Sequence, residues 1–240
     1  MLESESELLV LLPVKEPSLA KLRMKSQVSP EFHRRIEILV EKTFFNTMLT
    51  VKKLGLNFGV ISPSKKILVR SKELGAIFIS RDSGTDLNDA LEKAIEDLES
   101  QVRWKAVLIL MADLPLLTQE ELKRFLNKCL EANSIGILAA WKHGSIEGTC
   151  GLYLPLPANT ELFFGKKSYE CFKNHFIHQK LKFIELATSP RLSCWDLDTV
   201  NDLVQMRDLV MVEPVKQAMV DLLATIDHEK MEKSFLSQAT

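Results

Sequence analysis

The chain has 240 residues, of which 46% are hydrophobic and 26% charged, and a formal net charge of -1. This is the composition of an ordinary globular protein long enough for one α/β domain with a real core. Its balanced charge gives no general surface for duplex nucleic acid. The four cysteines, Cys129, Cys150, Cys171 and Cys194, show no C-x-x-C pair, so neither zinc ligation nor a disulfide framework is indicated. The first residues, Met1 to Glu7, are acidic where a signal peptide would be basic, and no apolar run reaches spanning length. A cytoplasmic location with no membrane partner is expected.

In chain order, Leu8 to Val14 is a continuous apolar run and reads as the first buried strand. Lys15 to Lys25 follows as a loop with four cations, Lys15, Lys21, Arg23 and Lys25. A loop after the first strand of an open α/β sheet is a place where phosphates bind. Here charged side chains would stand in for glycine-rich backbone. Ser29-Pro30 starts a helix whose apolar face, Phe32, Ile36, Leu39, Val40, Thr43, Phe44 and Met48, carries it to about Leu54. Phe58 to Pro63 is a second strand with its turn, Lys65 to Leu74 a short helix, and Ala76 to Ser80 a third strand. This alternation predicts βαβ units and a mainly parallel sheet.

The segment from Arg81 to Leu91 has Gly84 as its flexible point, Thr85 or Asp86 as a cap, and a buried stripe of Leu87, Ala90, Leu91, Ala94, Ile95 and Leu98. The segment reads either as a plain capped helix or as a helix N-terminus facing a ligand, and in the second case Asn88, inside the first turn, is the residue placed to touch it. The central element is Ala106 to Leu117, a strand of Val, Ile and Leu that ends on Asp113 and a proline. With no alternation it suits a strand covered on both faces, and Asp113 falls at the carboxyl edge where ligands collect. The same Asp-Leu-Pro could simply stop the strand and shape a turn. Thr118 with Glu121 forms a capping box for the next helix.

Ile135 to Trp141 reads as another strand, and Lys142 to Gly151, with three glycines, as a loop pressed against a ligand before strand resumes at Gly151-Leu152-Tyr153-Leu154. Phe163 to Ser168 is a second Gly/Ser turn, leading to a helix over Tyr169 to Gln179, and Leu181 to Leu186 is a strand. His143, His175 and His178 have no Ser, Cys or second His at a catalytic or metal spacing. Asp196 and Asp198 lie on one side of an extended segment just before a helix capped by Thr199. Paired acids at an apolar strand end are costly unless they meet a cation or a donor. With Asp113 they suggest a Mg²⁺ site. The tail from Met206 to Thr240 is a helical extension with Val212, Val215, Met219, Leu222, Leu223 and Ile226 apolar, for which packing or self-association as a homodimer would each account.

Together these residues resemble the CofC/FbiD family. They are Pro13-Val14-Lys15, Ala20-Lys21 with Arg23, Ser83-Gly84 with Leu87-Asn88, Ala112-Asp113-Leu114-Pro115-Leu116-Leu117, Gly148-Thr149, Phe164-Gly165 with Ser168, and Asp196-Leu197-Asp198-Thr199. The resemblance spans about residues 8 to 208, so the expected division is a nucleotidyltransferase domain over 1–208 and a helical extension over 209–240. It implies a three-layer α/β sandwich of the glycosyltransferase-A type, the nucleotide-diphospho-sugar transferase fold. It also implies transfer of GMP from GTP to 2-phospho-L-lactate or phosphoenolpyruvate, with release of pyrophosphate, in coenzyme F-420 biosynthesis.

By the same resemblance Lys15, Lys21 and Arg23 would neutralise the triphosphate, with Asp113 completing the catalytic set. Pro13, Val14, Ser83, Gly84 and Asn88 would border the nucleotide. Asp113 with Asp196 and Asp198 would hold Mg²⁺, and Thr149, Gly165 and Ser168 would hold the acid. The sequence departs from the family at Leu22 and Met24, where Ser and Leu are common, at Cys150, where Asn is common, and at Val200, where Pro is usual. Another nucleotidyl- or sugar-nucleotide transferase on the same fold, or a non-catalytic nucleotide-binding subunit, are the competing expectations.

Overall fold

Strand β1 (Leu8–Pro13) shows why its sequence has no polar alternation: Leu8 to Leu12 are all fully buried, with Leu8, Val10 and Leu12 in one core and Leu9 and Leu11 in another. Both faces of the sheet are covered, as expected of a central parallel strand. This computed structural model describes residues 7–81, 86–142, 145–187, 195–210 and 212–238. Ser83, Gly84 and His143 lie outside them.

The remaining strands are β2 (Asn57–Ser62), β3 (Phe78–Arg81), β4 (Ala106–Leu110), β5 (Ile135–Lys142), β6 (Ser145–Pro155) and β7 (Phe183–Ala187). They form a seven-stranded sheet in the order β3-β2-β1-β4-β6-β5-β7. β1 is parallel to β2 and β4, β2 to β3, and β5 to β7, whereas β6 is antiparallel to β4 and β5. Residues 145–151 are therefore strand, which corrects the expected glycine-rich loop. The register shifts between Leu138 and Ala139 and between Ala140 and Trp141 explain the small residues. Glycines within a strand mark bulges and close approaches. At Gly151 a Cβ would stand 3.1 Å from that of Leu138.

One face of the sheet packs on α2 (His33–Lys53), α3 (Lys65–Glu73) and α5 (Gln119–Ala132), through Phe44, Met48, Ile67, Leu122 and Phe125. The other packs on α4 (Leu87–Glu99) and α6 (Ser168–His178), through Leu91, Leu98, Phe172 and Phe176. This is the expected α/β sandwich around a mainly parallel sheet. Thr118 caps α5 by accepting from the Glu121 N–H at 3.3 Å, and its hydroxyl donates to the Glu121 carboxylate at 2.9 Å.

Outside α2 lies a third cluster formed by α1 (Leu22–Lys25), α7 (Val200–Met206) and α8 (Glu213–Gln238). Met24, Ile36, Leu39, Leu203, Val215, Met219, Leu222 and Ile226 are buried together there. The apolar stripe of the tail thus packs within the chain against α2, where Arg35 also donates to the Asp221 carbonyl at 3.2 Å. Among the described residues no helix is long and apolar enough to cross a membrane.

Candidate active site

The site forms where β1 and β4 end. Beyond β4 the Met111 N–H donates to the Cys150 carbonyl at 2.8 Å, carrying the β4–β6 pairing past Leu110 and Gly151. The Ala112 carbonyl accepts from the buried Thr47 hydroxyl of α2 at 3.3 Å. Leu114, Leu116 and Leu117 are buried. With anchors on both sides, Asp113 stands at the rim with its side chain about one-third exposed, at 35%.

After β1, the Val14 N–H continues the ladder to the Ile61 carbonyl at 2.9 Å. The loop beyond it is held from inside by Lys25, whose buried ammonium donates to the Ser18 carbonyl at 2.6 Å and to Glu37 of α2 at 3.1 Å. So the four cations do not form one patch. Lys25 is a structural pin, whereas Lys15 is exposed with no salt bridge among the described residues. Arg23 is 80% exposed, with its guanidinium 3.9 Å from Asp198.

Lys21 takes the left-handed conformation, φ 55°, at the start of α1. From there its ammonium reaches Asp113 at 2.5 Å and Asp198 at 2.9 Å. Burial pushes the Lys21 pKa down, but the charges of Asp113 and Asp198 and their hydrogen bonds outweigh it and hold the pKa well above the ordinary lysine value. Lys21 is therefore a fixed cation throughout the neutral range. One carboxylate oxygen each from Asp113, Asp196 and Asp198 lie within 4.8 Å of one another. Such an all-oxygen, half-buried donor set fits a hard divalent cation.

Asp198 is held by a residue that sequence reasoning missed. Asp202 is fully buried, and its carboxylate accepts from the Asp198 N–H at 3.2 Å, the Thr199 N–H and hydroxyl at 2.7 Å each, and the Trp195 indole at 3.0 Å. The Thr199-x-x-Asp202 spacing of a capping box is the sequence signal that could have found it.

The expected acid-binding residues come together beside this cluster. The Thr149 N–H donates to the Ser168 hydroxyl at 2.9 Å, and the Ser168 N–H donates to the Gly165 carbonyl at 3.2 Å. Thr149 is 7% exposed, and its own hydroxyl has no hydrogen-bond partner among the described residues. Buried hydroxyls are seldom left so. Cys150, the departure next to it, is buried and donates its thiol to the Leu138 carbonyl at 3.3 Å, in the core that includes Phe125. Asn88 lies further from expectation: its side chain engages both backbone groups of Phe164, donating at 3.1 Å and accepting at 2.8 Å.

Solved structures share this fold. A chain from Desulfovibrio desulfuricans G20, described as a nucleotide-diphospho-sugar transferase, superposes with a TM-score of 0.72 at 16% identity, covering 93% of this chain and 98% of its own. A 4-diphosphocytidyl-2C-methyl-D-erythritol synthase gives 0.54 at 14% identity over 85% of this chain and 97% of its own. The 4-diphosphocytidyl-2C-methyl-D-erythritol synthase of Anaerococcus prevotii DSM 20548 gives 0.54 at 11% identity over 82% and 95%. These likenesses define the class as the fold of nucleotide-diphospho-sugar transferases and cytidylyltransferases.

Within that class, the model of the family described as "Guanylyl transferase CofC like" matches residues 8–218. The chain belongs to this family, and its role is nucleotidyl transfer. The match runs ten residues past the expected limit of 208 and takes in the first turns of α8.

Proposed function

We propose that this protein transfers GMP from GTP to a phosphorylated three-carbon acid, 2-phospho-L-lactate or phosphoenolpyruvate, and releases pyrophosphate, as a step of coenzyme F-420 biosynthesis. The observation that carries this reading is the adjacency of two built features. A lysine fixed between two aspartates stands at the end of β4, and Thr149, on the strand paired beside it, is hydrogen-bonded to Ser168 at the start of α6 and through it to the Gly165 turn.

In this reading Lys15, Lys21 and Arg23 neutralise the triphosphate, and the β1 end at Pro13 and Val14, with Ser83, Gly84 and Asn88, borders the nucleoside. Thr149, whose hydroxyl has no partner among the described residues, and the Gly165 and Ser168 turn hold the acid. An oxygen of the acid's phosphate attacks the α-phosphorus of GTP, a new phosphoanhydride forms, and the bond to the β-phosphate breaks as pyrophosphate leaves. The attacking oxygen is already anionic, so no general base is needed; the protein's part is positioning and charge stabilisation. Asp113, Asp196 and Asp198 would hold Mg²⁺, which neutralises phosphate charge in such transfers. In this reading α8, through Val215, Met219, Leu222 and Ile226, acts as a brace on α2.

The test is pyrophosphate release from GTP and Mg²⁺ with 2-phospho-L-lactate, phosphoenolpyruvate and 3-phosphoglycerate offered separately, beside an Asp113→Ala control. Release with one of the first two acids, lost in the control, supports the reading. Silence with all three acids in a folded protein that binds GTP overturns it and favours a nucleotide-sugar donor or a binding subunit.

A further inference from the structure

We infer that Asn88 is a positioning residue that joins the start of α4 to the Phe164–Gly165 turn, and so couples the nucleotide side of the site to the acid pocket. The inference rests on the reaction proposed above. Asn88 is the residue of the expected nucleotide border whose side chain the structure shows engaged elsewhere through both its nitrogen and its oxygen. Its amide nitrogen donates to the Phe164 carbonyl at 3.1 Å, and its oxygen accepts from the Phe164 N–H at 2.8 Å. This is the two-bond pattern of a strand pair, made by a side chain across 76 residues of sequence. A planar carboxamide carries a donor and an acceptor side by side, and so can satisfy both backbone groups of one residue.

Both ends of the strut are fixed. On the α4 side the Asn88 N–H donates to the capping carboxylate of Asp86 at 2.7 Å, and Leu91, one turn on, is buried in the sheet core. On the other side Phe164 is 7% exposed, and its ring packs edge-on against Phe172 of α6, centroids 5.2 Å apart. The next residue, Gly165, has φ 139°, and a Cβ there would meet nothing within 4 Å, so the turn has room around it and little side-chain packing of its own. From Gly165 the bonds continue through Ser168 to the Thr149 N–H and, one residue on, from the Cys150 carbonyl to Met111 beside Asp113. Asn88 is thus the first link of a hydrogen-bonded path from the helix behind the nucleotide to the residues that hold the acid. A side chain with both functional groups occupied this way is a poor reader of a base edge.

The test compares Asn88→Leu, which removes both bonds, with Asn88→Asp, which keeps the acceptor for the Phe164 N–H but sets a carboxylate against the Phe164 carbonyl. Hydrogen exchange of residues 163–168 is read first and needs no turnover. It should quicken in Asn88→Leu and by less in Asn88→Asp, while the core strands stay protected. Exchange unchanged in both variants overturns the inference.

Kinetics is read second. The KM for the acid should rise about ten-fold in Asn88→Leu, the effect of losing bonds of this kind, with the preference for GTP over ATP unchanged. A collapse of nucleotide preference with the acid KM unmoved overturns the inference and returns Asn88 to the base. If the wild type turns over none of the acids, the proposed reaction fails, and the exchange measurement still decides the strut. Should Asn88→Leu fail to fold, Asn88→Asp carries both comparisons.

Discussion

Replacing Lys21 by Met keeps the length of the stem and removes only the charge that sits among the aspartates. Two charge-assisted hydrogen bonds are lost, to Asp113 at 2.5 Å and Asp198 at 2.9 Å. Bonds to charged groups are worth roughly 1.5–3 kcal/mol each. The carboxylates left behind are 35% and 27% exposed, so water resolvates them and the net loss falls to about 2 kcal/mol. For a chain of this size that is a fall in Tm of roughly 4–8 °C without metal.

The same substitution takes a positive charge away from the three-aspartate cluster. At about 4 Å and an effective dielectric near 20, a unit charge contributes roughly 4 kcal/mol. Screening at the half-exposed rim reduces this to about 1.4 kcal/mol, a ten-fold gain in Mg²⁺ affinity in the absence of nucleotide. Thermal unfolding with and without millimolar Mg²⁺ reads both effects: Lys21→Met should melt lower than wild type without metal and be raised more by it. An unchanged Tm, or equal Mg²⁺ shifts in the two proteins, would refute the seating of Lys21 among the carboxylates. Turnover should fall about 10²–10³-fold, as on loss of a transition-state donor.

Asp202→Asn turns an amide N–H₂ toward groups that are themselves donors, and should cost about 1–3 kcal/mol in urea unfolding and lower pyrophosphate release by loosening Asp198. Gly136→Ala should destabilise by about 1–3 kcal/mol, because its Cβ would fall 2.3 Å from the Cys129 sulfur beneath α5; a Tm equal to wild type would disprove that packing. Burial raises the Glu185 pKa, but bonds from the Tyr169 hydroxyl at 2.5 Å and the Lys173 ammonium at 2.9 Å reverse this and leave it lowered. A depressed carboxyl stabilises the fold above its unfolded value of about 4.3 and loses that contribution as pH falls through the lower folded value. Unfolding scans from about pH 6 to about pH 3 should therefore show a shallower acid loss in Glu185→Gln than in wild type, by under about 1 kcal/mol at this partly exposed site.

Features carried by local chemistry were legible in the sequence. The unalternating runs of β1 and β4 declared a sheet covered on both faces. What was not legible depends on partners far along the chain. The glycines and small polar residues of 145–151 have loop composition, and become strand only because β4 and β5 flank them and bulges absorb the irregularity. Asn88 offers its carboxamide equally to a ligand or a backbone, and only the folded chain brings Phe164 to it. Lys25 reads like its neighbours Lys21 and Arg23, but the inward turn of α1 gives it Glu37 in place of solvent or phosphate. The stripe on α8 suits packing or self-association alike, and only the folded chain shows that it packs on α2.

In the proposed reading, the reversed direction of β6 puts the two jobs of the site on different parts of the chain. Every strand except β6 brings its carboxyl end to the working edge, and at β1, β2 and β4 a change there alters a loop leading into a helix. β6 alone brings its beginning, at the tip of a hairpin whose two arms are already joined to each other. In the proposed reading, substitutions near Thr149 reshape the wall that receives the acid, and they reach Asp113 through the β4–β6 pairing that ends at the Cys150–Met111 bond. In that reading a lineage on this scaffold can change the acid it accepts while keeping the residues that hold the charges.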